Sequence, residues 1–224
     1  MHKGSRAMAR NKHPEETVER ILDVSLRLFL EKGYEYTSIQ DIIDGLGNLS
    51  KGAIYHHFRS KEDILEAVTD KLMGGSNRML AKIRDRKDLN GREKLKTIFR
   101  ESLMRPGQEE LFAVAPGIGK NPKLLFSILR DTADVVAPQY ILPIIEEGIR
   151  DGSIETDCPA ELAELVILVA NVWMNPMVFE DTPEASGRKF LLFAQMMKGF
   201  GLDVVDGEML ARLEELTKIY QRNK

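Results

Sequence analysis

Residues 50–61 combine hydroxyl, amine and imidazole groups whose chemistry suits a partner that carries phosphates. Ser50 is a helix-capping residue type, and a helix that begins there presents free N–H groups to an anion at its positive end. Lys51 and Lys61 add positive charge near the two ends of this stretch. Gly52 allows close backbone approach, and because glycine costs a helix about 1 kcal/mol relative to alanine, its presence needs a reason. The stretch therefore predicts contact with a polyanion.

The aromatic and apolar residues of the same stretch divide between two faces of a helix. Ile54 and Phe58 are four residues apart, so they share one face and are expected in a core. Tyr55, His56 and His57 place polar aromatic groups near the outer face. Adjacent histidines point about 100° apart on a helix, and no cysteine or third histidine is near, so a metal site is disfavoured. Because histidine changes its charge near neutral pH, one hypothesis is that polyanion affinity depends on pH.

The preceding residues predict the helices that position this stretch. A longer helix opens at Pro14 and ends at Gly33, and a short one begins at Thr37 or Ser38. The stretch itself is the third helix, and Ser60 caps a fourth. Two short helices after a longer supporting helix predict a helix-turn-helix head, whose third helix fits the major groove of DNA.

Charge is distributed unevenly along the chain, which carries a formal net charge of −3. Residues 1–61 hold ten basic and eight acidic side chains, so the head is mildly basic and the remainder is acidic. Residues 1–13 are a basic arm with four lysines or arginines and no acid. This distribution favours a polyanion partner for the head. For the arm alone, binding to a polyanion is one explanation, and a solvated tail or a remnant of cloning is an equally good one.

The two runs 37–47 and 49–64 resemble the DNA-binding head of the tetracycline-repressor (TetR) family, and residues 18–36 resemble its first helix. The resemblance covers about residues 15–66. It departs from the family pattern at Asn48, which resembles an insertion in the turn and is expected to tilt the third helix slightly.

The resemblance also implies roles for single residues. The positions that match contacts with the DNA backbone are Thr37, Ser50, Lys51, Tyr55 and Lys61. Gly52 matches the position where the helix start comes close to DNA. The candidates for base-edge or mixed contacts are Gln40, Ala53, His56 and His57. Glutamine can pair with adenine through two hydrogen bonds, and alanine can contact a thymine methyl group.

Beyond the head, apolar periodicity near 3.6 predicts further helices and no strands. Their approximate ranges are 91–104, 108–114, 121–150, 158–179, 184–200 and 207–221. Pro138 and Pro143 are expected to kink or split the third of these. The predicted fold is therefore all-α. A DNA-binding domain over residues 1–60 joins a helical bundle for ligand binding and dimerisation over residues 61–224.

The resemblance implies a homodimer in which the last long helices of two subunits form a four-helix interface. Residues 160–179 and 184–200 are apolar over much of their surface and fit this role, although a buried monomer core would have a similar composition. A dimer with heads about 34–36 Å apart can read two half-sites of double-stranded operator DNA.

A ligand cavity is expected among the helices of the second domain. Its candidate lining residues are Phe112, Phe126, Trp173 and Met177, although methionine and phenylalanine at helical spacing also form ordinary cores. Few charges are evident inside this part, so the expected effector is a small apolar or aromatic molecule. By the resemblance, its binding shifts the fourth helix, changes the separation of the two heads and weakens DNA binding.

Other functions find little support. All four histidines lie in the head, so no Ser-His-Asp set forms, and the Gly117–Lys120 segment lacks the full phosphate-loop pattern and is read as a helix connector. We expect no enzyme, no cofactor and no metal. The single cysteine, Cys158, excludes an intrachain disulfide and fits a reducing cytoplasm. No apolar run reaches the roughly 18 residues of a membrane span, and no secretory signal is recognisable.

The sequence thus predicts a DNA-binding transcriptional regulator, a repressor that a small molecule releases from its operator. Two alternatives stay open. The first is a DNA-binding regulator without an inducer, acting as an activator or through a protein partner. The second is a helical protein or enzyme that does not bind DNA.

Overall fold

The computed structural model describes residues 14–47, 51–175, 178–179 and 181–224. Every regular element within these ranges is a helix, so the predicted all-α fold class is confirmed. The chain divides into two compact units, the first ending at Val68 and the second running from Thr69 to Lys224. None of the helices in the described ranges combines the length and the apolar character that crossing a membrane requires.

The first unit contains three complete helices and the beginning of a fourth. They are α1 (Pro14–Lys32), α2 (Ile39–Leu46), α3 (Lys51–His57) and α4 (Lys61–Arg84). Glu15 and Glu16 lie in the first turn of α1, where the positive end of the helix dipole favours acids. Gly33 ends that helix as predicted, with φ at +90° and its N–H donating to the carbonyl of Phe29 at 3.0 Å.

The division between the two compact units lies inside α4. Ile64, Leu65 and Val68 are buried, and their part of the helix belongs to the first unit. The assignment of DNA binding to residues 1–60, and of ligand binding and dimerisation to residues 61–224, stays a prediction. The sequence left open whether this helix stops at Gly74–Gly75, and the helix continues through them to Arg84.

The second unit holds the remainder of α4 and seven further α-helices of the described chain. They are α5 (Gly91–Met104), α6 (Gln108–Gly119), α7 (Pro122–Asp131), α8 (Leu142–Asp151), α9 (Pro159–Leu168), α10 (Pro183–Gly199) and α11 (Gly207–Arg222). Two π-helical segments, Thr132–Ile141 and Val169–Trp173, continue α7 into α8 and extend α9. Pro138 was expected to kink or split the helix. It lies inside the first π-helical segment, so the helix is locally widened there and is not broken.

Two predicted helix ends need correction. The sequence pattern predicted a helix over residues 108–114 and a connector at Gly117–Lys120. In the structure, α6 continues to Gly119. Ala115, Pro116 and Ile118 are buried, so packing keeps this last turn helical in spite of a proline. The helix predicted over 158–179 ends at Trp173, where Lys189 Nζ donates to the carbonyl of that residue at 3.0 Å.

The core of the second unit depends on a close crossing between α5 and α8. A methyl group on Gly91 would lie 2.4 Å from Gly148 Cα, so only glycine fits at this crossing. Next to it, the fully buried Lys94 donates from Nζ to the Glu147 carboxylate at 2.5 Å and to the Arg84 carbonyl at 2.9 Å. The crossing fixes α5, whose C-terminal end borders the cavity described below.

Candidate functional site

The start of α2 is held by a reciprocal cap. Ser38 Oγ accepts from the Asp41 N–H at 3.1 Å, and the Asp41 carboxylate accepts from the Ser38 N–H at 2.8 Å. Lys32 Nζ donates to the same carboxylate at 2.7 Å, and this hydrogen bond, followed by those from Ser38, holds the pKa of Asp41 well below its usual range. Gln40, a predicted base contact, is exposed beside this cap and donates to Asp44 at 2.8 Å.

The two faces of α3 are divided as the sequence predicted. Ile54 has no exposed surface and Phe58 is 8% exposed, which confirms both as core residues. Lys51, Tyr55 and His56 are exposed on the other side, and Lys51 Nζ lies 5.8 Å from the centroid of the Tyr55 ring. The helix therefore presents a cation, a phenol and an imidazole together to solvent.

The remaining α3 candidates lie at or beside this exposed face. Gly52 is exposed at the start of the helix, and Ala53 is half-buried. His57 is half-buried, and its ring meets that of His56 edge-on with 5.0 Å between centroids. Among the described residues no group of three or more His, Cys, Asp or Glu side chains is arranged to hold a metal ion.

Two residues predicted to contact the DNA backbone, Thr37 and Lys61, make hydrogen bonds inside the first unit. Thr37 is 1% exposed, and its hydroxyl donates to the Gly33 carbonyl at 2.8 Å. Its side chain therefore closes the turn before α2 and does not face solvent. Lys61 Nζ donates to the carbonyls of Tyr34 and Thr37 at 2.8 and 2.9 Å, so its ammonium group is engaged inside the first unit. Burial, and then the hydrogen bond to Glu62, raise the pKa of Tyr34.

Several predictions fall outside the described residues. They concern the capping and phosphate-binding role of Ser50, the insertion at Asn48, the basic arm 1–13 and the cavity-lining role of Met177.

A cavity of about 250 Å³ lies within the second unit. Most of its lining is apolar, with contributions from α4, α5, α6 and both π-helical segments. Of the four predicted lining residues, Phe112 lines the cavity. Phe126 does not, because it lies on the outer side of α7 with 63% of its surface exposed. Trp173 does not either; it packs against the main core of the second unit, with Lys189 Nζ 5.7 Å from its ring centroid.

The cavity also has polar lining residues that the sequence reading missed, among them Ser76, Arg105 and Gln108. Arg105 follows the last residue of α5, and burial lowers the pKa of its guanidinium. Gln108 is the first residue of α6 and is 5% exposed. Nothing local in the sequence distinguishes these residues from the other polar residues of this region, since their burial depends on packing between helices distant in sequence.

Comparison with known proteins decides what the first unit is. The family described as bacterial regulatory proteins, tetR family, matches residues 21–68, which include α2, α3 and most of α1. The HTH-type transcriptional repressor KstR2 of Mycobacterium tuberculosis (strain CDC 1551 / Oshkosh) is 30% identical over 149 residues, covering 63% of this chain and 71% of that protein. The chain belongs to the TetR family.

Two further similarities agree with this TetR-family membership. KstR2 of Rhodococcus jostii (strain RHA1) is 30% identical over 154 residues, 64% of this chain and 70% of that protein. The crystal structure of a putative TetR-family regulator from Syntrophomonas wolfei has the same fold, with a TM-score of 0.58, 23% identity and coverage of 91% of this chain and 94% of that one. The protein is therefore a DNA-binding transcriptional regulator, from a family of regulators that bind operator DNA and act as dimers.

Proposed function

We propose that this TetR-family protein is a repressor that a small, largely apolar molecule releases from its operator. The cavity in the second unit carries the proposal, because it offers an apolar effector a place to bind. Met73, Ser76 and Leu80 of α4 line it, and the first turns of the same helix belong to the DNA-binding unit. A repressor role is supported by the similarity to KstR2, which is itself named a repressor. Because its proposed partner is operator DNA, we propose that this protein acts in the cytoplasm.

For the mechanism, we propose that the effector shifts α4. A ligand changes an equilibrium between two conformations only by its difference in affinity for them. An effector that fits the cavity better when α4 has moved therefore favours the conformation that binds the operator less well. The coupling is reciprocal, so operator DNA lowers the affinity for the effector by the same factor.

On the DNA side, we propose that α3 enters the major groove with Lys51 and Tyr55 on the phosphates and His56 near base edges. Support comes from the joint exposure of these side chains and from the buried Ile54 behind them. Gln40 is exposed on α2 and is proposed to reach a base or the backbone. Nothing in this proposal requires the side chains of Thr37 or Lys61, which are engaged inside the unit.

We propose that the dimer forms through α9 and α10, the helices near the predicted ranges 160–179 and 184–200. Apolar side chains about half exposed on these helices support the proposal: Leu168 (51%), Leu191 (51%) and Leu192 (48%). A double Leu191→Glu, Leu192→Glu variant is expected to sediment as a monomer and to lose most of its operator affinity. A dimer with unchanged affinity would place the interface elsewhere.

The function is tested by fluorescence anisotropy with the DNA upstream of the protein's own gene and with a scrambled duplex. Specific binding is expected to be at least about a hundredfold tighter than non-specific binding. Compounds that raise the Tm are then added to the complex, and at least one is expected to release the DNA. If none releases it, the regulator acts without an inducer; if a selection from random duplexes also yields no preferred site, the DNA-binding proposal fails.

A further inference from the structure

Arg105 stands out among the residues that line the cavity, because it is the one charged side chain among those that the structure describes there. Its Nη2 donates to Ser76 Oγ at 2.8 Å, and its Nε is buried without a hydrogen-bond partner in the described chain. No carboxylate among the described residues pairs with it. The cavity wall thus contains a cation with no countercharge among the residues that the structure describes.

The guanidinium of Arg105 packs against α4. A methyl group on Gly75 would lie 3.4 Å from Nη1, so this part of the guanidinium packs against α4 where that helix has no side chain. Asp131, a partly buried acid of the same unit, hydrogen-bonds with Asn77. Burial raises its pKa, and the charge of Asp70 raises it further. It therefore does not neutralise Arg105.

A partly buried guanidinium without an acid is costly, because its desolvation is not offset by an opposite charge. A guanidinium forms two parallel hydrogen bonds with a carboxylate, which makes a carboxylate its best-matched partner. Most of the cavity wall, including Phe99, Phe112 and Ile128, is apolar. The same cavity therefore suits an apolar body and a single negative charge.

We propose that the effector is a small apolar molecule with one carboxylate, which pairs with Arg105 while its body fills the cavity. This inference rests on the proposed function of the cavity as the effector site. Ser76 and Gln108 also line the cavity, and their hydroxyl and amide groups can supply further donors for the carboxylate oxygens. The volume of about 250 Å³ lies below that of pockets for drug-sized ligands, which begin at about 300 Å³, and so favours a medium-length chain or a single ring.

The carboxylate would bind at a point where two helices already meet through the hydrogen bond from Arg105 to Ser76. Arg105 follows α5, whereas Ser76 lies in the middle of α4. An anion held by both residues changes the balance of contacts on α4. The charged end of the ligand, at Ser76, and its apolar body, at Met73 and Leu80, would both contact this helix.

The experiment compares carboxylates with their uncharged alcohols by isothermal titration calorimetry on the full-length protein. The probes are octanoate against octanol and phenylbutyrate against phenylbutanol. The variants are Arg105→Gln, which removes the charge, and Arg105→Lys, which keeps it; Arg130→Gln, whose side chain is 61% exposed, is the matched control. DNA release is followed in parallel by anisotropy, and the Tm of each free variant shows that it is folded.

At least one carboxylate is expected to bind more tightly than its alcohol by about tenfold or more, the usual effect of a hydrogen bond to a charged group. Arg105→Gln removes this preference and leaves the alcohol's affinity unchanged, Arg105→Lys keeps part of it, and Arg130→Gln keeps all of it. If Arg105→Gln does not fold, the preference in the wild-type protein and its reduction in Arg105→Lys decide the question.

Equal affinity for acid and alcohol, no binding by any of the carboxylates, or full retention of the preference in Arg105→Gln would each overturn the inference. The proposed function fails separately. If a carboxylate binds through Arg105 but leaves the DNA complex intact, the site is correct and the release mechanism is wrong. If neutral compounds alone bind and release DNA, the release mechanism is correct and the carboxylate is wrong.

Discussion

Lys61 Nζ lies 4.2 Å from the centroid of the Tyr34 ring while it donates to the Tyr34 carbonyl at 2.8 Å. The lysine therefore ties the first residue of α4 to the turn that follows α1. The family resemblance implies that Lys61 contacts the DNA backbone, whereas its hydrogen bonds to the Tyr34 and Thr37 carbonyls suit a role in stabilising the fold.

The first prediction separates these two roles. Lys61→Met is expected to lower the free energy of unfolding by about 2 kcal/mol, because hydrogen bonds from a charged donor contribute about 1.5–3 kcal/mol. Urea unfolding measures this change, and Lys51→Met, on the exposed face of α3, is the matched control. Wild-type stability combined with weaker operator binding in Lys61→Met would instead support a phosphate contact.

The second prediction concerns the phosphate contact of Lys51. Lys51→Ala is expected to weaken binding to specific and scrambled DNA alike and to reduce the slope of log affinity against log salt by about 1, as expected when one phosphate contact is lost. The Tm is expected to stay unchanged because the side chain is exposed. Anisotropy titrations at several salt concentrations measure the slope.

Lys87→Ala serves as the control for this slope, since Lys87 is an exposed lysine of the second unit. Should Lys51→Ala keep the wild-type slope, α3 would lie on DNA with a different face.

The third prediction follows from the cap of α2. The bonds from Lys32 and Ser38 lower the pKa of Asp41 in the folded state, so the ionised carboxylate stabilises folding. A group with a depressed pKa contributes stability above its unfolded pKa of about 3.9, and this contribution is lost as pH falls through the folded pKa. The Tm is therefore expected to fall on acidification below about pH 4.

Asp41→Asn, which cannot ionise, is expected to have a lower Tm than wild type at neutral pH and a weaker loss of Tm on acidification. Thermal unfolding monitored by circular dichroism between about pH 2.5 and pH 7 tests this. Glu66→Gln, which removes one exposed carboxylate from α4, is the control. Parallel Tm curves for wild type and Asp41→Asn would exclude this role of the cap.

The fourth prediction concerns the crossing of α5 and α8. Gly91→Ala is expected to lower the free energy of unfolding by about 3 kcal/mol, at the upper end for overpacking, because the new methyl group meets the Gly148 backbone at 2.4 Å. Gly207→Ala is the control, since nothing lies within 4 Å of a methyl group there. Urea unfolding of the two variants is compared, and equal stability would show that the crossing relaxes without cost.

Much of the first unit was predictable because its signals are local. Gly33 ends α1, Ser38 caps α2, and the four-residue spacing of Ile54 and Phe58 marks the buried face of α3. Each of these features depends on a residue type and its neighbours within one or two helical turns. The direction of Lys61 was not predictable, since its partners are carbonyls at residues 34 and 37.

The cavity shows where local signals end. Phe112 and Phe126 are alike in the sequence, yet one lines the cavity and the other is 63% exposed. Apolar composition predicts that a helix has a buried face. Which of its residues another helix covers depends on contacts between segments that are distant in sequence. Likewise, nothing near Arg105 in the sequence indicates that its side chain meets α4 at Ser76.

By itself, the sequence determined the all-helical class, the helix-turn-helix head, its family and the exposed face of α3, because helix periodicity, caps and an ordered motif are written in neighbouring residues. Only the tertiary structure decided that the Thr37 and Lys61 side chains hydrogen-bond inside the head, that α6 continues through Pro116, and that Arg105, with no acidic partner among the described residues, lines a largely apolar cavity. These features arise from packing between segments far apart in the chain, where burial and the partners of each polar group are set by the whole fold.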